Sequence, residues 1–364
     1  MTIYIVDLEG VETRYTGQWK QHVPKLLKKE GHDVVVIDGP TNIPAATSPG
    51  AFLNFGGTNI YKAAQVEKMG RMFCANQIRS GDHFLFTDAW HPGIINLKYM
   101  SELLSVPITI HALWHAGSYD PQDFLGRLIG DAPWVRHAEK SFFHAIDHNY
   151  FATKSHIQMF AEAHAPHEYL WLWDWIDSCT GSGKIVRTGW PMEYMAETLE
   201  PYRTFKKKDL IIFPHRLAPE KQVEIFKDLA LQLPQYEWVV CQEKQLTKHE
   251  YHALMARAKI IFSANLQETL GITTCSEGPL LEVIPLAPDR LSYTEIFEGF
   301  DEFLYPSQWT ESWKDYLYNR DQLVARIVSI MDNFDTLVPR VNEFVDTRYE
   351  DYFHAKELIK QFEQ

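Results

Sequence analysis

Ile3-Tyr4-Ile5-Val6-Asp7, a helical stretch with Val23, Leu26 and Leu27 on one face, Gly31, then Val34-Val35-Val36-Ile37: this opening decides the fold class. The first segment reads as a strand, and Gly31 is the residue type that ends a helix in left-handed backbone. Val34 to Ile37 is apolar at every position, as in a parallel strand covered on both faces. Strand, helix and buried strand in succession make one βαβ unit. Working outward, His83–Thr87, Pro107–His111 and His148–Ala152 read as further buried strands, the last leading into a helix over Ser155–Ala163. The stretch from Gly39 to Asn59 reads as a long loop.

The same rhythm restarts after the charged run Lys206–Asp209. Strands are expected at Leu210–Phe213, Trp238–Val240, Lys259–Phe262 and Val283–Ala287, with helices at Glu220–Gln232 and Lys248–Arg257 and a loop running into a helix over Leu270–Leu281. The tail, Gln322–Phe334 and Val341–Phe362, is amphipathic and helical. A chain of 364 residues exceeds what one core usually organises. The expected division is 1–200, 201–340 and a C-terminal helix over 341–364 that packs back on the first domain. The fold class is α/β, two doubly wound Rossmann-like domains facing across a cleft, and ligands bind at the carboxyl ends of such strands.

Composition narrows the function. No apolar run reaches the roughly 18 residues of a membrane helix, and Asp7 follows the first apolar run at once, so the start reads as a strand rather than a signal peptide. Cys74, Cys179, Cys241 and Cys275 have neither metal nor disulfide spacing, which points to a reducing, cytoplasmic setting. Net charge is −13, against a broad nucleic-acid coat. The acid excess lies beyond residue 100, however. Lys20, Lys25, Lys28 and Lys29 on one helix, with Lys62, Lys68, Arg71 and Arg79, form a candidate local docking patch for a polyanion; a solvated helix face is the alternative. No Gly-x-Gly-x-x-Gly follows a strand and no Walker motif is present, which removes most of the case for dinucleotide binding and P-loop chemistry.

Two constellations carry the chemistry. Phe213-Pro214-His215-Arg216-Leu217-Ala218-Pro219-Glu220-Lys221 delivers a guanidinium fork and an ammonium from a strand end to a helix start, which suits a diphosphate. Ser263 to Gly278 follows another strand. The N–H groups around Leu270, Gly271, Ile272 and Thr273 can receive a phosphate, and Glu268 and Glu277 can accept sugar hydroxyls. Taken one by one they read equally as a solvent-facing helix start, ordinary caps and surface acids; taken together they describe a sugar-nucleotide site. In the first half, Asp88-Ala89-Trp90-His91-Pro92-Gly93 and His111-Ala112-Leu113-Trp114-His115 each follow a strand. His115 is preferred over His111, which can still lie within its strand, and Asp88 can orient an acceptor hydroxyl or take its proton. Gly17, near the start of the first helix, allows close approach to a sugar-phosphate.

Several other groups have a bland reading. His144, Asp147 and His148, or His164 and His167, lack a third ligand at metal spacing. Tyr169-Leu170-Trp171-Leu172-Trp173-Asp174-Trp175 can stack a base but more often is core. Arg127 and Arg136 can serve an acceptor phosphate. Asp289 and Arg290 either shape the donor pocket or tie down their loop.

Arg216…Lys221 followed by Glu268…Glu277 resembles the donor site of the large retaining GT-B glycosyltransferase family, whose halves are two Rossmann-like domains. Those enzymes carry Gly-Arg-Leu-x-Pro-Glu-Lys, then Glu-x-Phe-Gly with a second Glu eight residues on. Leu217-Ala218-Pro219-Glu220-Lys221 fits closely, and Glu268-Thr269-Leu270-Gly271 fits with Leu for Phe. The second acid departs from the pattern: Glu277 comes nine residues on, with Ser276 at the usual place, so either the segment holds one extra residue or the contact is altered. Gly189-Trp190-Pro191 resembles the linker motif, and Phe151-Ala152-Thr153-Lys154-Ser155 the last crossover strand. His215-Arg216 and Ile284 to Phe297 resemble a subgroup that includes phage glycosyltransferases of hydroxymethylated DNA bases and, more distantly, queuosine-tRNA mannosyltransferases.

The resemblance implies an acceptor-binding first domain and a nucleotide-sugar-binding second one. It implies transfer of a pentose or hexose from a UDP-sugar, with retention, to a modified base in double-stranded phage DNA, 5-hydroxymethylcytosine first. Glu277 is expected on the ribose, Glu268 on the distal hydroxyls of the sugar, Arg216 and Lys221 on the diphosphate, and His115 at the transferring sugar. No resident cofactor, metal or membrane partner is expected. A tRNA or glycan acceptor, or a binding protein without chemistry, are the alternatives.

Overall fold

The computed structural model describes residues 1–10, 15–45, 53–130, 132–166 and 171–363. They form two compact units: Met1–Ala152 with Ile157–Pro191 and Lys356–Gln364, and Thr153–His156 with Met192–Ala355. The division falls at 191/192 and 355/356, where the sequence suggests 200 and 340.

The first unit is a parallel sheet of β1 (Thr2–Val6), β2 (Asp33–Ile37), β3 (His83–Phe86), β4 (Thr109–Leu113), β5 (His148–Phe151) and β6 (Ile185–Arg187), in the order β2-β1-β3-β4-β5-β6. The second holds β7 (Leu210–Phe213), β8 (Glu237–Val240), β9 (Ile260–Phe262), β10 (Ile284–Pro288) and β11 (Leu304–Tyr305), in the order β11-β10-β9-β7-β8. Each sheet therefore reverses its winding once, between β1 and β3 and between β7 and β9, and it is at the carboxyl ends of the strands flanking such a reversal that open α/β sheets bind ligands. Nine strands fall where hydrophobic runs place them. β6 and β11 were not anticipated, since three and two residues carry no pattern to read.

Burial explains the apolar runs. Phe84, Leu85 and Phe86 of β3, and Ile211, Ile212 and Phe213 of β7, are fully buried, because helices cover both faces of each sheet. Each such side chain contributes about 1.5–3 kcal/mol on leaving water. Helix Tyr15–Lys29 buries Trp19, Val23 and Leu27. The tail breaks into helices Phe334–Thr347, Tyr349–Phe353 and Lys356–Ile359 rather than one continuous rod.

His111 lies in the middle of β4, fully buried, its ring stacked between His83 and His148 and capped by Phe362 at 4.6 Å. The anticipated loop of 39–59 is shorter, because helix Phe55–Cys74 starts at its far end with the Asn54 side chain accepting from Gly57 N; residues 46–52 lie outside the described set.

Candidate functional site

In the second unit β7 ends at Phe213 and hands on His215, Arg216 and, through a short 3-10 turn, Lys221. Lys221 is 5% exposed; its ammonium donates to Gln267 O and lies 3.5 Å from Glu268 Oε2. Burial alone would raise the Glu268 carboxyl, but Lys221 and the Gly271 N–H outweigh it and hold it below the ordinary carboxylate range. Arg216 donates to the buried Glu220 at 2.8 Å while its side chain stays one-third exposed. The sheet edge thus brings together Arg216, Lys221, Glu268 and the turn at Leu270-Gly271-Ile272.

Asn265, after β9, joins these groups, and the motif reading missed it. Its Nδ2 donates to Glu268 Oε2 at 3.2 Å and to Tyr293 OH at 3.0 Å, and faces His215 Nδ1 at 3.5 Å. His215 Nε2 meets Phe262 O at 3.2 Å, and burial drives its pKa down to about 3, so the ring is neutral. Arg290 donates to Asn265 O, Ala264 O, Ser307 O and Thr310 O, which fixes it as a tie between loops; Asp289 accepts from Thr294.

Gly271 has φ +71°, and a Cβ there would meet the Tyr293 ring at 2.9 Å and Cys275 Sγ at 3.0 Å, so glycine is required. It opens a π-helical turn over Ile272–Glu277. A π turn spans one more residue than an α turn, which accommodates the extra residue between Glu268 and Glu277. Ser276, at the position the motif would give to the acid, is fully buried and bonds Tyr349 OH at 2.9 Å. Glu277 Oε2 accepts from Tyr251 OH at 3.0 Å, with His252 Nε2 3.9 Å from its other oxygen.

In the first unit Asp88 follows β3. Lys62 Nζ donates to Asp88 Oδ2 at 2.7 Å and to Trp90 O at 2.6 Å, while Trp90 N donates to Asp88 Oδ1 at 3.1 Å. Burial opposes ionisation of Asp88, but the Lys62 ammonium outweighs it and holds the carboxyl below its usual range. His115 follows β4: Nε2 donates to Thr87 O at 2.6 Å, and Nδ1 meets Tyr15 OH at 2.7 Å. Its ring packs among Tyr15, Trp19 and Trp190. Gly17 sits in the first turn of the helix that carries Tyr15 and Trp19. His91 is structural: it accepts from Gly93 N at 2.9 Å, bonds Gln65, and is driven to about pKa 3 by burial.

The surface patch needs correction. Lys62 is 8% exposed and turned to Asp88, and Lys20 pairs with the buried Asp7 at 2.6 Å and donates to Tyr61 OH. Both belong to the interior polar network at the strand ends. Lys68 pairs with Asp38 and Arg71 with Glu67, both in the open. Lys25, Lys28, Lys29 and Arg79 are exposed. The inward face of helix Phe55–Cys74, with Thr58, Tyr61, Lys62, Gln65 and Met69 buried, follows helical spacing and was the signal for Lys62.

Arg127 donates to Gln122 O, and Arg136 faces Ser118 and Glu139. Trp171 and Trp173 are exposed and Trp175 is buried, whereas Tyr169 and Leu170 lie outside the described residues, as does His167. His148 bonds Gly183 O, and His164 bonds Glu139. Among the described residues no three His, Cys, Asp or Glu side chains are grouped to hold a metal ion, and no helix is long and apolar enough to cross a membrane.

No family model and no curated protein matches the chain. Solved structures do. Sucrose-phosphate synthase from Thermosynechococcus elongatus aligns at TM-score 0.61 and 12% identity, over 100% of this chain and 98% of that one. Anabaena HepE in complex with UDP aligns at 0.56 and 12%, over 99% and 98%. An alpha-glucosyltransferase in complex with UDP and a 13-mer DNA containing a central A:G mismatch aligns at 0.55 and 11%, over 100% and 99%. At such identities the likeness is one of fold, and the fold is GT-B, with two Rossmann-like α/β units.

Proposed function

We propose that this protein is a retaining glycosyltransferase that moves a sugar from a UDP-sugar to the hydroxyl of a modified base in DNA, 5-hydroxymethylcytosine being the acceptor of choice. The observation that carries the enzymatic part is the buried Lys221 beside Glu268, with Arg216 on the same sheet edge. A cation kept at a strand end, bonded to a backbone carbonyl, is ready to meet a diphosphate. HepE and the alpha-glucosyltransferase, both of this fold, were solved with UDP, which supports that donor. The DNA acceptor rests on the sequence resemblance and on the DNA bound by the second of these.

In the proposed reaction the bond from the anomeric carbon to the diphosphate oxygen breaks, and the acceptor oxygen bonds to that carbon on the same face. The hydroxyl proton passes to the departing diphosphate. Charge grows on the leaving group, so Arg216, Lys221 and the N–H groups of the Gly271 turn interact more strongly with the transition state than with the bound donor. Glu268 holds the sugar's distal hydroxyls and Glu277 the ribose. Ionised and paired with Lys62, Asp88 is a weak base and serves to orient the acceptor hydroxyl. His115, its Nε2 proton committed to Thr87 O, presents a fixed ring edge to the sugar. The DNA phosphates dock on Lys25, Lys28, Lys29 and Arg79.

The deciding experiment is mass spectrometry of nucleosides from 5-hydroxymethylcytosine duplex DNA after incubation with a panel of UDP-sugars. A mass gain of one pentose or hexose is expected. UDP-sugar hydrolysis without DNA product would move the acceptor to tRNA or a glycan, and nucleotide binding without any turnover would make the chain a binding protein. Reversing the charges of Lys25, Lys28 and Lys29 should weaken use of DNA and spare donor hydrolysis, both read from the same assay.

A further inference from the structure

We propose that Glu139 is a positioning residue, a buried carboxylate that clamps together the loop after β3 and the loop after β4. The inference rests on the glycosyltransfer reading, in which those loops carry Asp88 and His115. Glu139 lies on helix Pro133–Ala145, away from both loops in sequence, and is 0% exposed. Among the described residues five donors converge on it. Trp90 Nε1 reaches Oε1 at 3.1 Å, Ser118 N reaches Oε1 at 2.7 Å, and Ser118 Oγ reaches Oε2 at 2.9 Å. His164 Nε2 bonds Oε2 at 2.9 Å and Arg136 lies 3.4 Å from it.

Three of the five donors come from the two loops. Trp90 is gripped from both ends: its indole by Glu139, its backbone N–H by Asp88 Oδ1 and its carbonyl by Lys62. A rotation of the indole therefore moves the groups that aim Asp88. On the other side, the loop that begins at His115 presses against the carboxylate. A Cβ on Gly117 would meet Glu139 Oε1 at 2.7 Å and the Tyr119 ring at 2.2 Å. Buried ions are an expensive way to stabilise a fold, since apolar groups of the same shape do as well. What one carboxylate does better is hold two loops at a fixed separation through short directional bonds.

The clamp is tested with Glu139→Gln, which keeps the shape, and Trp90→Phe, which removes one donor and leaves the carboxylate otherwise paired. Three readouts are taken: transfer kinetics with the donor and acceptor that the wild type uses, UDP affinity, and amide exchange over residues 87–92 and 114–119. Glu139→Gln is expected to lower kcat about tenfold to a hundredfold, leave the UDP Kd within about twofold of the wild type, and speed exchange in both loops. Trp90→Phe should speed exchange in the first loop only. An unchanged kcat with unchanged exchange overturns the proposal, and so does a parallel loss of UDP affinity, which would mark general damage. If the wild type transfers to no acceptor, the glycosyltransfer reading falls, and the two exchange patterns alone decide for or against the clamp.

Discussion

The Lys62 ammonium donates at once to Asp88 and to Trp90 O, with both side chains of the ion pair largely out of water. Replacing it by Met leaves the carboxylate buried and unpaired, which should cost about 3 kcal/mol, whereas Lys25→Met on the exposed face should change stability by less than about 0.5 kcal/mol; urea unfolding midpoints distinguish them. Arg216 and Lys221 call for a different measurement. Each is expected to give a charge-assisted hydrogen bond to the diphosphate, of about 1.5–3 kcal/mol. Arg216→Ala and Lys221→Ala should therefore each weaken UDP binding roughly tenfold to a hundredfold, read by calorimetry, and lower kcat/KM at least as much. These two residues were legible because they stand five positions apart in one short stretch, Arg216 to Lys221, whose spacing is distinctive. Lys62 and Glu139 were not: no motif marks them, Asp88 lies 26 residues from Lys62 and Trp90 lies 49 from Glu139, and only the folded sheet brings each pair together.

At the scale of one element, the π turn Ile272–Glu277 resolves the spacing that set Glu277 apart. Motif spacing assumes an α-helix, so an inserted residue looks like a lost acid. A turn that closes one residue later absorbs the insertion. Glu277→Ala should raise the UDP Kd roughly tenfold or more, whereas Ser276→Ala should leave it unchanged and cost about 1 kcal/mol of stability for the lost bond to Tyr349. Equal effects of the two variants on UDP affinity would show that the turn does not aim Glu277 at the nucleotide. The strands were easier to read than this turn, since Val34–Ile37 and Leu210–Phe213 are buried from both sides and admit only apolar residues.

Across the whole molecule, histidines buried in the neutral form tie stability to pH. His91 in the first unit and His215 in the second have folded pKa values near 3 because burial disfavours the charged ring. Unfolded, each titrates near its ordinary value of about 6.5. Between these limits the unfolded chain binds protons that the folded one refuses, so stability is complete above the upper limit and falls as pH drops toward the lower, by up to about 1.4 kcal/mol per pH unit for each ring. The first unit also holds the half-buried His83 and the buried His111, both depressed by burial, and should lose stability faster. Amide exchange in β4 and β7 compared at pH 7 and pH 5 checks this: protection should fall more in β4.

The paired alternation of strands and helices was legible along the chain, but the point at which the tail passes from one unit to the other was not. Residues up to Ala355 belong with the second unit and Lys356 onward with the first. The stretch that places Phe362 on His111 is thus synthesised after the whole of the second unit. On the ribosome the unit begun first is therefore finished after the other has been made. Until then His111 lacks its aromatic cover, and a nascent chain stalled anywhere before Lys356 displays an incomplete sheet face to whatever chaperone attends it.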